Sequence, residues 1–167
     1  MEVVFYIAGA VAIIATVLML TGLNVVHALL YLIVSLLAVA VVFYVMGAPF
    51  VAALEVIIYA GAIMVLFVFV VMMLNLGAQA VSLETSWLTP GIWIGPTVLA
   101  GLLLCEVVYV IVRGGDAPLG MEPVDSKQVG MVLFGPYVIG VELASMLLLA
   151  GLVGAYYLGV RTTHRPE

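Results

Sequence analysis

The charge-free stretches of the sequence constrain most strongly what this chain can fold into. No Asp, Glu, Lys or Arg occurs from Val3 to Leu54, and none occurs from Val56 to Leu83. Charged residues make up 8% of the chain and hydrophobic residues 67%, whereas about a quarter of the residues in a soluble domain are charged. So few charges cannot cover the surface of a water-soluble fold. The composition therefore predicts an integral membrane protein and excludes soluble enzymes, secreted domains and nucleic-acid-binding proteins.

Five apolar segments are long enough to cross a membrane as helices, because a hydrocarbon core of about 30 Å requires about 20 helical residues. The predicted spans are about 3–20, 28–46, 50–76, 91–113 and 137–159. The polar segments at 77–90 and 114–130 are read as loops and are too short for a soluble domain. The sequence therefore predicts an all-α fold that forms a single membrane domain over 1–167.

Several features concern insertion into the membrane. Glu2 precedes the first apolar run without a basic residue, which favours a retained helix over a cleaved signal peptide. The four basic residues divide equally between the two sides of a five-span chain, so the positive-inside rule does not define an orientation. An odd number of spans argues against two inverted halves and thus against a self-contained secondary transporter. Cys105, the single cysteine, is expected to pack as a small apolar residue.

Three carboxylic acids fall within the predicted spans, namely Glu55, Glu106 and Glu142. An acid at the centre of a membrane helix costs about 2.5 to 3.5 kcal/mol on insertion scales, so each should face a partner or water, or keep its proton. Glu55 and Glu142 follow the starts of the third and fifth spans, and Glu106 precedes the end of the fourth. Because successive spans alternate in direction, all three acids are predicted to lie in one leaflet.

Each acid has a functional and a structural interpretation. Glu55 and Glu142 are candidates either for a polar route that carries protons or for hydrogen bonds to a neighbouring subunit. Glu106 is a third candidate for the polar route. Arg113 lies seven residues beyond Glu106 on roughly the same helix face, so an ion pair with a snorkelling arginine is the structural alternative there.

The third predicted span carries the most informative pattern. Residues 50–76 would form about 40 Å of straight helix at 1.5 Å per residue, which exceeds the hydrocarbon core, so the helix must tilt, bend or be distorted. Glu55 and Tyr59 share a face, and Gly61 removes a side chain beside Tyr59. This arrangement can accommodate a π-bulge. The alternative, which spacing alone favours, is that Gly61 only permits close helix packing.

Five stretches of the sequence together form a recognisable pattern. The longest runs from Ala53 to Leu76 and contains Glu55-Val-Ile-Ile-Tyr59-Ala-Gly61. The others are Asn24–Leu32, Trp93–Pro96, Phe134–Tyr137 and Val141–Gly151. They extend over nearly the whole chain and closely resemble the subunit J family of bacterial respiratory complex I, the proton-pumping NADH:quinone oxidoreductase.

The resemblance implies a five-helix, non-catalytic subunit of the membrane arm, located between the quinone-binding end and the antiporter-like subunits. The chain itself is expected to bind no cofactor and no metal, while the complex would use NADH, FMN, iron–sulfur clusters and quinone. Its expected partners are other membrane-arm subunits and the lipid bilayer, and not nucleic acid. The resemblance also implies the bacterial cytoplasmic (inner) membrane, with the N-terminus periplasmic and the C-terminus cytoplasmic.

The resemblance further implies a role for the third helix. In this family a π-bulge in that helix is thought to gate a hydrated path between quinone chemistry and proton transfer by converting to a regular α-helix. Tyr59, Gly61 and Val65 match the gate, and Glu55 and Glu142 match acids of the family. Glu106 is not part of the family pattern.

Two other functions are compatible with the residues. One is a component of a multisubunit cation/proton antiporter, whose large subunit contains a region similar to subunit J. The other is a purely structural membrane spacer with no moving element. The length of the chain and the close match in the third and fifth helices favour the oxidoreductase subunit.

Overall fold

The computed structural model describes residues 1–22, 25–74, 90–113 and 122–160, and its regular elements are all helices. The first two are α1 (Glu2–Thr21) and α2 (Val25–Val45). The third helix is continuous and has three parts, α3 (Pro49–Leu54), a π-helical segment (Glu55–Ile63) and α4 (Met64–Leu74). The remaining helices are α5 (Pro90–Val112), α6 (Ser126–Leu133) and α7 (Val138–Val160).

Five of the described segments are long and apolar enough to cross a membrane. They are Glu2–Thr21, Val25–Val45, Pro49–Val71, Trp93–Val112 and Val138–Gly159. The prediction of an all-α membrane protein with five spans is therefore confirmed. Residues 75 and 76, at the end of the predicted third span, lie outside the described residues.

The chain divides into two compact units, residues 1–124 and residues 125–167. Within the first unit, α2 is the central element and packs against α1, α5 and all three parts of the third helix. Two layers of buried apolar side chains join α1, α2 and α5. One layer contains Val11, Ala15, Val34, Ala38 and Leu103, and the other contains Val4, Val45 and Val110. Along α1 the chain passes from the second of these layers to the first, whereas along α2 and α5 it passes from the first to the second. Helices α2 and α5 therefore run parallel to each other and antiparallel to α1.

Two hydroxyl groups connect α1 to α2 inside the apolar packing. Thr16 Oγ1 and Ser35 Oγ lie 2.8 Å apart, and both also lie within hydrogen-bonding distance of the Ala12 carbonyl oxygen, at 2.8 and 3.2 Å respectively. Polar side chains of this kind join helices in a membrane because an unsatisfied hydroxyl is costly in hydrocarbon. The pair therefore fixes how α1 and α2 lie against each other.

A three-residue connection joins α2 to the third helix. Gly47 has φ of 85°, a left-handed conformation that favours glycine because other residues carry a Cβ atom. The N–H of Ala48 donates to the carbonyl of Phe43 at 3.0 Å, and the carbonyl of Gly47 accepts from the N–H of Val124 at 2.8 Å. Pro49 then occupies the first turn of α3, where its missing N–H has no helical partner to lose. The start of the third helix is thus held firmly against the end of α2.

The second unit contains a short helix that the sequence prediction missed. Residues 114–130 were expected to form a polar loop, but α6 begins at Ser126. Asp125 caps it, accepting from the N–H of Ser126 at 2.7 Å, and the side chain of Gln128 accepts from the N–H of Asp125 at 3.2 Å. This capping box satisfies N–H groups that a helix end leaves free. An eight-residue helix spans only about two turns, so the polar composition of 114–130 predicted a loop where a short helix forms. Residues 114–121 lie outside the described residues.

Candidate functional site

The third helix changes its hydrogen-bonding pattern over Glu55–Ile63, where it is π-helical. In a π-helix each N–H donates to the carbonyl five residues earlier. Such segments are rare in proteins overall, and those that occur are frequently found at functional sites. The segment ends at Ile63, and the N–H of the following residue, Met64, donates both to the carbonyl of Tyr59, five residues earlier, and to that of Gly61, three residues earlier. The predicted distortion of the third helix is confirmed, and Met64 marks the return to α-helical geometry.

Gly61 lies where the backbone of the π-helical segment approaches itself closely. A Cβ atom at this position would lie 3.1 Å from the carbonyl oxygen of Val56, and no other described atom outside the adjoining backbone lies within 4 Å. Among the described residues of this chain, no other helix therefore approaches Gly61 closely. The missing side chain instead leaves room for the backbone carbonyl.

The other residues assigned to the third helix lie at or beside the π-helical segment. Glu55 is its first residue and is half-buried, and Tyr59 is exposed on the outward surface of this chain. Val65 follows the segment and is 66% exposed. Glu55, Tyr59 and Gly61 thus lie within the π-helical segment, and Val65 lies just beyond its end.

Met64 is a residue of this site that sequence reasoning missed. Its side chain is only 2% exposed and is one of the two largest fully buried side chains among the described residues. Both neighbours along the chain, Ile63 and Val65, are exposed. Because α4 packs against α2, we infer that the buried Met64 side chain faces α2 where the π-helical segment ends. Every residue from 63 to 74 is apolar, so periodicity offered no signal.

Glu106 is buried in the first unit, with 6% of its side chain exposed. It lies between Leu103 and Val110 on the face of α5 that packs against α1 and α2. Neither carboxyl oxygen has a hydrogen-bond partner among the described residues. The guanidinium of Arg113 instead lies over the ring of Tyr109, 5.3 Å from its centroid. The structural alternative for Glu106, an ion pair with Arg113, is therefore wrong, because the acid is buried in the helix packing while the arginine lies over Tyr109.

The packing layers also show where Glu106 and Glu55 lie along the length of the first unit. Val110, one turn beyond Glu106, packs with Val45 at the end of α2, and the third helix begins four residues after Val45. Glu106 and Glu55 therefore lie in the same half of this unit. Glu142 belongs to the second unit, where it is exposed on α7 and its carbonyl accepts from Ser145 Oγ at 2.8 Å.

Comparison with known proteins identifies the family. The family model for NADH-ubiquinone/plastoquinone oxidoreductase chain 6 matches residues 3–158. The chain belongs to this family. Relatives of this chain are named NADH-quinone oxidoreductase subunit J. The one from Pseudomonas aeruginosa is 60% identical over 160 residues, which cover 95% of this chain and 96% of the relative.

The subunit J of Escherichia coli is 57% identical over 159 residues, covering 95% of this chain and 86% of the relative. That of Buchnera aphidicola from Schizaphis graminum is 48% identical over 159 residues, covering 95% and 98%. The resemblance stated from the sequence motifs is therefore confirmed. This chain is therefore a multi-pass membrane subunit of NADH-quinone oxidoreductase.

Proposed function

We propose that this chain couples quinone reduction to proton translocation through its third helix. The observation that carries the proposal is the π-helical segment Glu55–Ile63 in the middle of a membrane span. A π-helical and an α-helical form of the same stretch differ in register, and one residue of register corresponds to about 100° of rotation. A helix that can change in this way can open and close a path beside it.

The residues of the segment have distinct proposed roles. Gly61 permits the π-helical form, because a side chain there would crowd the Val56 carbonyl. Val65 lies on the part of the helix that rotates and so changes the apolar surface beside the path. Tyr59 and Glu55 supply a hydroxyl and a carboxyl group that can order water at the segment. Together they would form a gate in a hydrated route.

Glu142 is proposed as a second polar group of that route, on the basis of its matching family position. We assign no catalytic role to the chain itself. The electron-transfer groups that the family implies, which are NADH, FMN, iron–sulfur clusters and quinone, would be bound by other subunits. The proposed location is the bacterial inner membrane, with the N-terminus periplasmic and the other membrane-arm subunits as neighbours.

Purification of the intact complex tests the proposal in two steps. A C-terminal tag on this chain should copurify a large set of subunits with inhibitor-sensitive NADH:quinone reductase activity. A small assembly without NADH oxidation would instead favour the antiporter component.

Within the assembled oxidoreductase, Gly61→Val should lower quinone reduction or the protons pumped per electron pair, while electron transfer to a soluble acceptor is retained. Gly101→Val is the matched control, since Gly101 is exposed on α5 with no neighbouring atom within 4 Å of its Cβ position. An assembled Gly61→Val complex with normal turnover and pumping would contradict the gate and favour a structural spacer.

A further inference from the structure

We infer that α2 offers a single seat to the third helix, which Met64 occupies in the π-helical form and Ile63 occupies in a regular α-helical form. The seat is the place beside α2 that the Met64 side chain now fills. This inference rests on the proposed function, because it concerns the conversion that would operate the gate. It names the two side chains whose exchange sets the balance between the two forms.

The first step is that the start of the third helix cannot rotate freely. Gly47 and Ala48 tie it to the end of α2 through a tight turn, with the Ala48 N–H bonded to the carbonyl of Phe43. Ala52, in the middle of α3, is buried. A change of register in the π-helical segment must therefore be taken up mainly by α4.

The second step is the geometry of that rotation. An α-helix advances about 100° per residue, so removing one residue of register turns α4 by this angle relative to α3. Met64 would then move to the angular position that Val65 holds now, and Ile63 would move to the position of Met64. Val65 is 66% exposed, Ile63 is 37% exposed and Met64 is 2% exposed. Conversion would thus expose one apolar side chain and bury its neighbour.

The third step is that the sequence tolerates both arrangements along the whole of α4. Among the α4 side chains whose burial is described, Met64 is buried and Val68 and Val71 are half-buried, so these three face inward. A shift by one residue brings another apolar set to these positions, namely Ile63, Phe67 and Val70. No polar or charged group would be buried by the rotation, so its main cost is a change in packing.

The two occupants differ in shape in a way that matters for the balance. Met is unbranched and flexible and adapts to irregular gaps, whereas Ile is β-branched and restricted at χ1. Shortening either side chain should therefore favour the form in which the other fills the seat. A side chain that stays outside in both forms should have no such effect.

The test compares Met64→Ala with Ile63→Ala in the purified, complete oxidoreductase. Cryo-electron microscopy would give the ratio of particles with a π-helical third helix to particles with an α-helical one, at rest and during turnover. Met64→Ala should shift the ratio towards the α-helical form by about tenfold, or about 1.4 kcal/mol. Ile63→Ala should shift it towards the π-helical form to a similar extent.

Leu66→Ala is the matched control. Leu66 is 61% exposed, and on conversion it would move to the position of Phe67, which is also exposed. The ratio of π-helical to α-helical particles in Leu66→Ala should therefore equal that of the unmodified complex. Where an alanine variant fails to assemble, Ile63→Val and Met64→Val make the same comparison with a smaller truncation.

Failure of the seat and failure of the gate can be told apart. A ratio that stays the same in both substitutions, or that shifts in the same direction in both, would overturn the seat whatever the turnover. Opposite shifts in the ratio accompanied by normal quinone reduction and pumping would support the seat and overturn the proposed function.

Discussion

The carbonyl oxygen of Val56 lies 3.1 Å from the point where a Cβ atom on Gly61 would stand. The milder substitution Gly61→Ala should therefore crowd the π-helical form, and alanine also stabilises an ordinary α-helix by about 1 kcal/mol relative to glycine. Both effects favour the α-helical form. We expect quinone reductase activity of the assembled complex to fall by about fivefold, corresponding to that free energy.

Gly101→Ala serves as the control for this substitution, because it makes the same chemical change on an exposed face of α5. Its complex should retain the unmodified rate of quinone reduction. Equal losses in Gly61→Ala and Gly101→Ala would show that the effect does not arise from the π-helical segment.

Gly95 on α5 provides the space for the hydroxyl group of Tyr31 on α2. A Cβ atom on Gly95 would collide with that hydroxyl, and Tyr31 is buried with its ring against His27, at 5.0 Å between centroids. Gly95→Ala should therefore destabilise the packing of α5 against α2 by about 1 to 3 kcal/mol. The fraction of this chain that stays in the complex after graded heating, read on native gels, measures the loss.

Adding Tyr31→Phe to Gly95→Ala should restore part of this stability, because the colliding hydroxyl is removed. Complete absence of a heating defect in Gly95→Ala alone would contradict the prediction. If Tyr31→Phe instead worsened the loss of heat stability in Gly95→Ala, that loss would not arise from the collision with the hydroxyl group.

The hydroxyl groups of Thr16 and Ser35 should stabilise the α1–α2 pair in a coupled way. A double-mutant cycle of Thr16→Val and Ser35→Ala should give a coupling energy of about 0.6 kcal/mol, and no more than about 1.7 kcal/mol. Graded denaturation of the detergent-solubilised complex would measure it. Thr21→Val is the control, since Thr21 Oγ1 donates to carbonyls of its own helix, and a cycle of Thr21→Val with Ser35→Ala should show no coupling.

Replacement of Glu106 by an apolar residue of similar length should not harm the protein. Its buried carboxyl group has no hydrogen-bond partner among the described residues, and such a group costs about 1 to 3 kcal/mol. Glu106→Met should therefore leave quinone reduction unchanged and raise the resistance of the complex to heating. A loss of proton pumping in Glu106→Met would instead add this acid to the polar route.

The orientation in the membrane can be read from cysteine accessibility in a Cys105→Ser background. With the N-terminus periplasmic, a cysteine in Gly115→Cys should react with an impermeant thiol reagent added to spheroplasts. A cysteine in Thr163→Cys should react only after the membrane is opened. Labelling of Thr163→Cys from the outside would reverse the proposed orientation.

The sequence predicted the membrane spans and the place of the distortion, because these depend on local properties. A helix crosses the bilayer wherever about 20 apolar residues follow one another, and five such segments are present. Gly61 beside Tyr59 indicated where the third helix could depart from α-helical geometry. The motif around Glu55 and Tyr59 also indicated the family, which the comparisons confirmed.

The sequence was less informative where several residues are alike in polarity. It placed Arg113 roughly on the face of Glu106, but only the packing of α5 against α1 and α2 buries the acid and leaves the arginine over Tyr109. Likewise, α6 begins at the capping box of Asp125 and is only eight residues long, so its sequence offers little periodic pattern.

The alternation of charge-free segments and turns by itself determined that this chain is a five-span membrane protein, since the hydrophobic effect acts on each segment separately. Only the tertiary structure decided that Met64, and neither of its apolar neighbours, faces inward where the π-helical segment ends. The reason is physical. In a run without polar residues every helix face is equally apolar, so contact with α2 determines which side chain is buried.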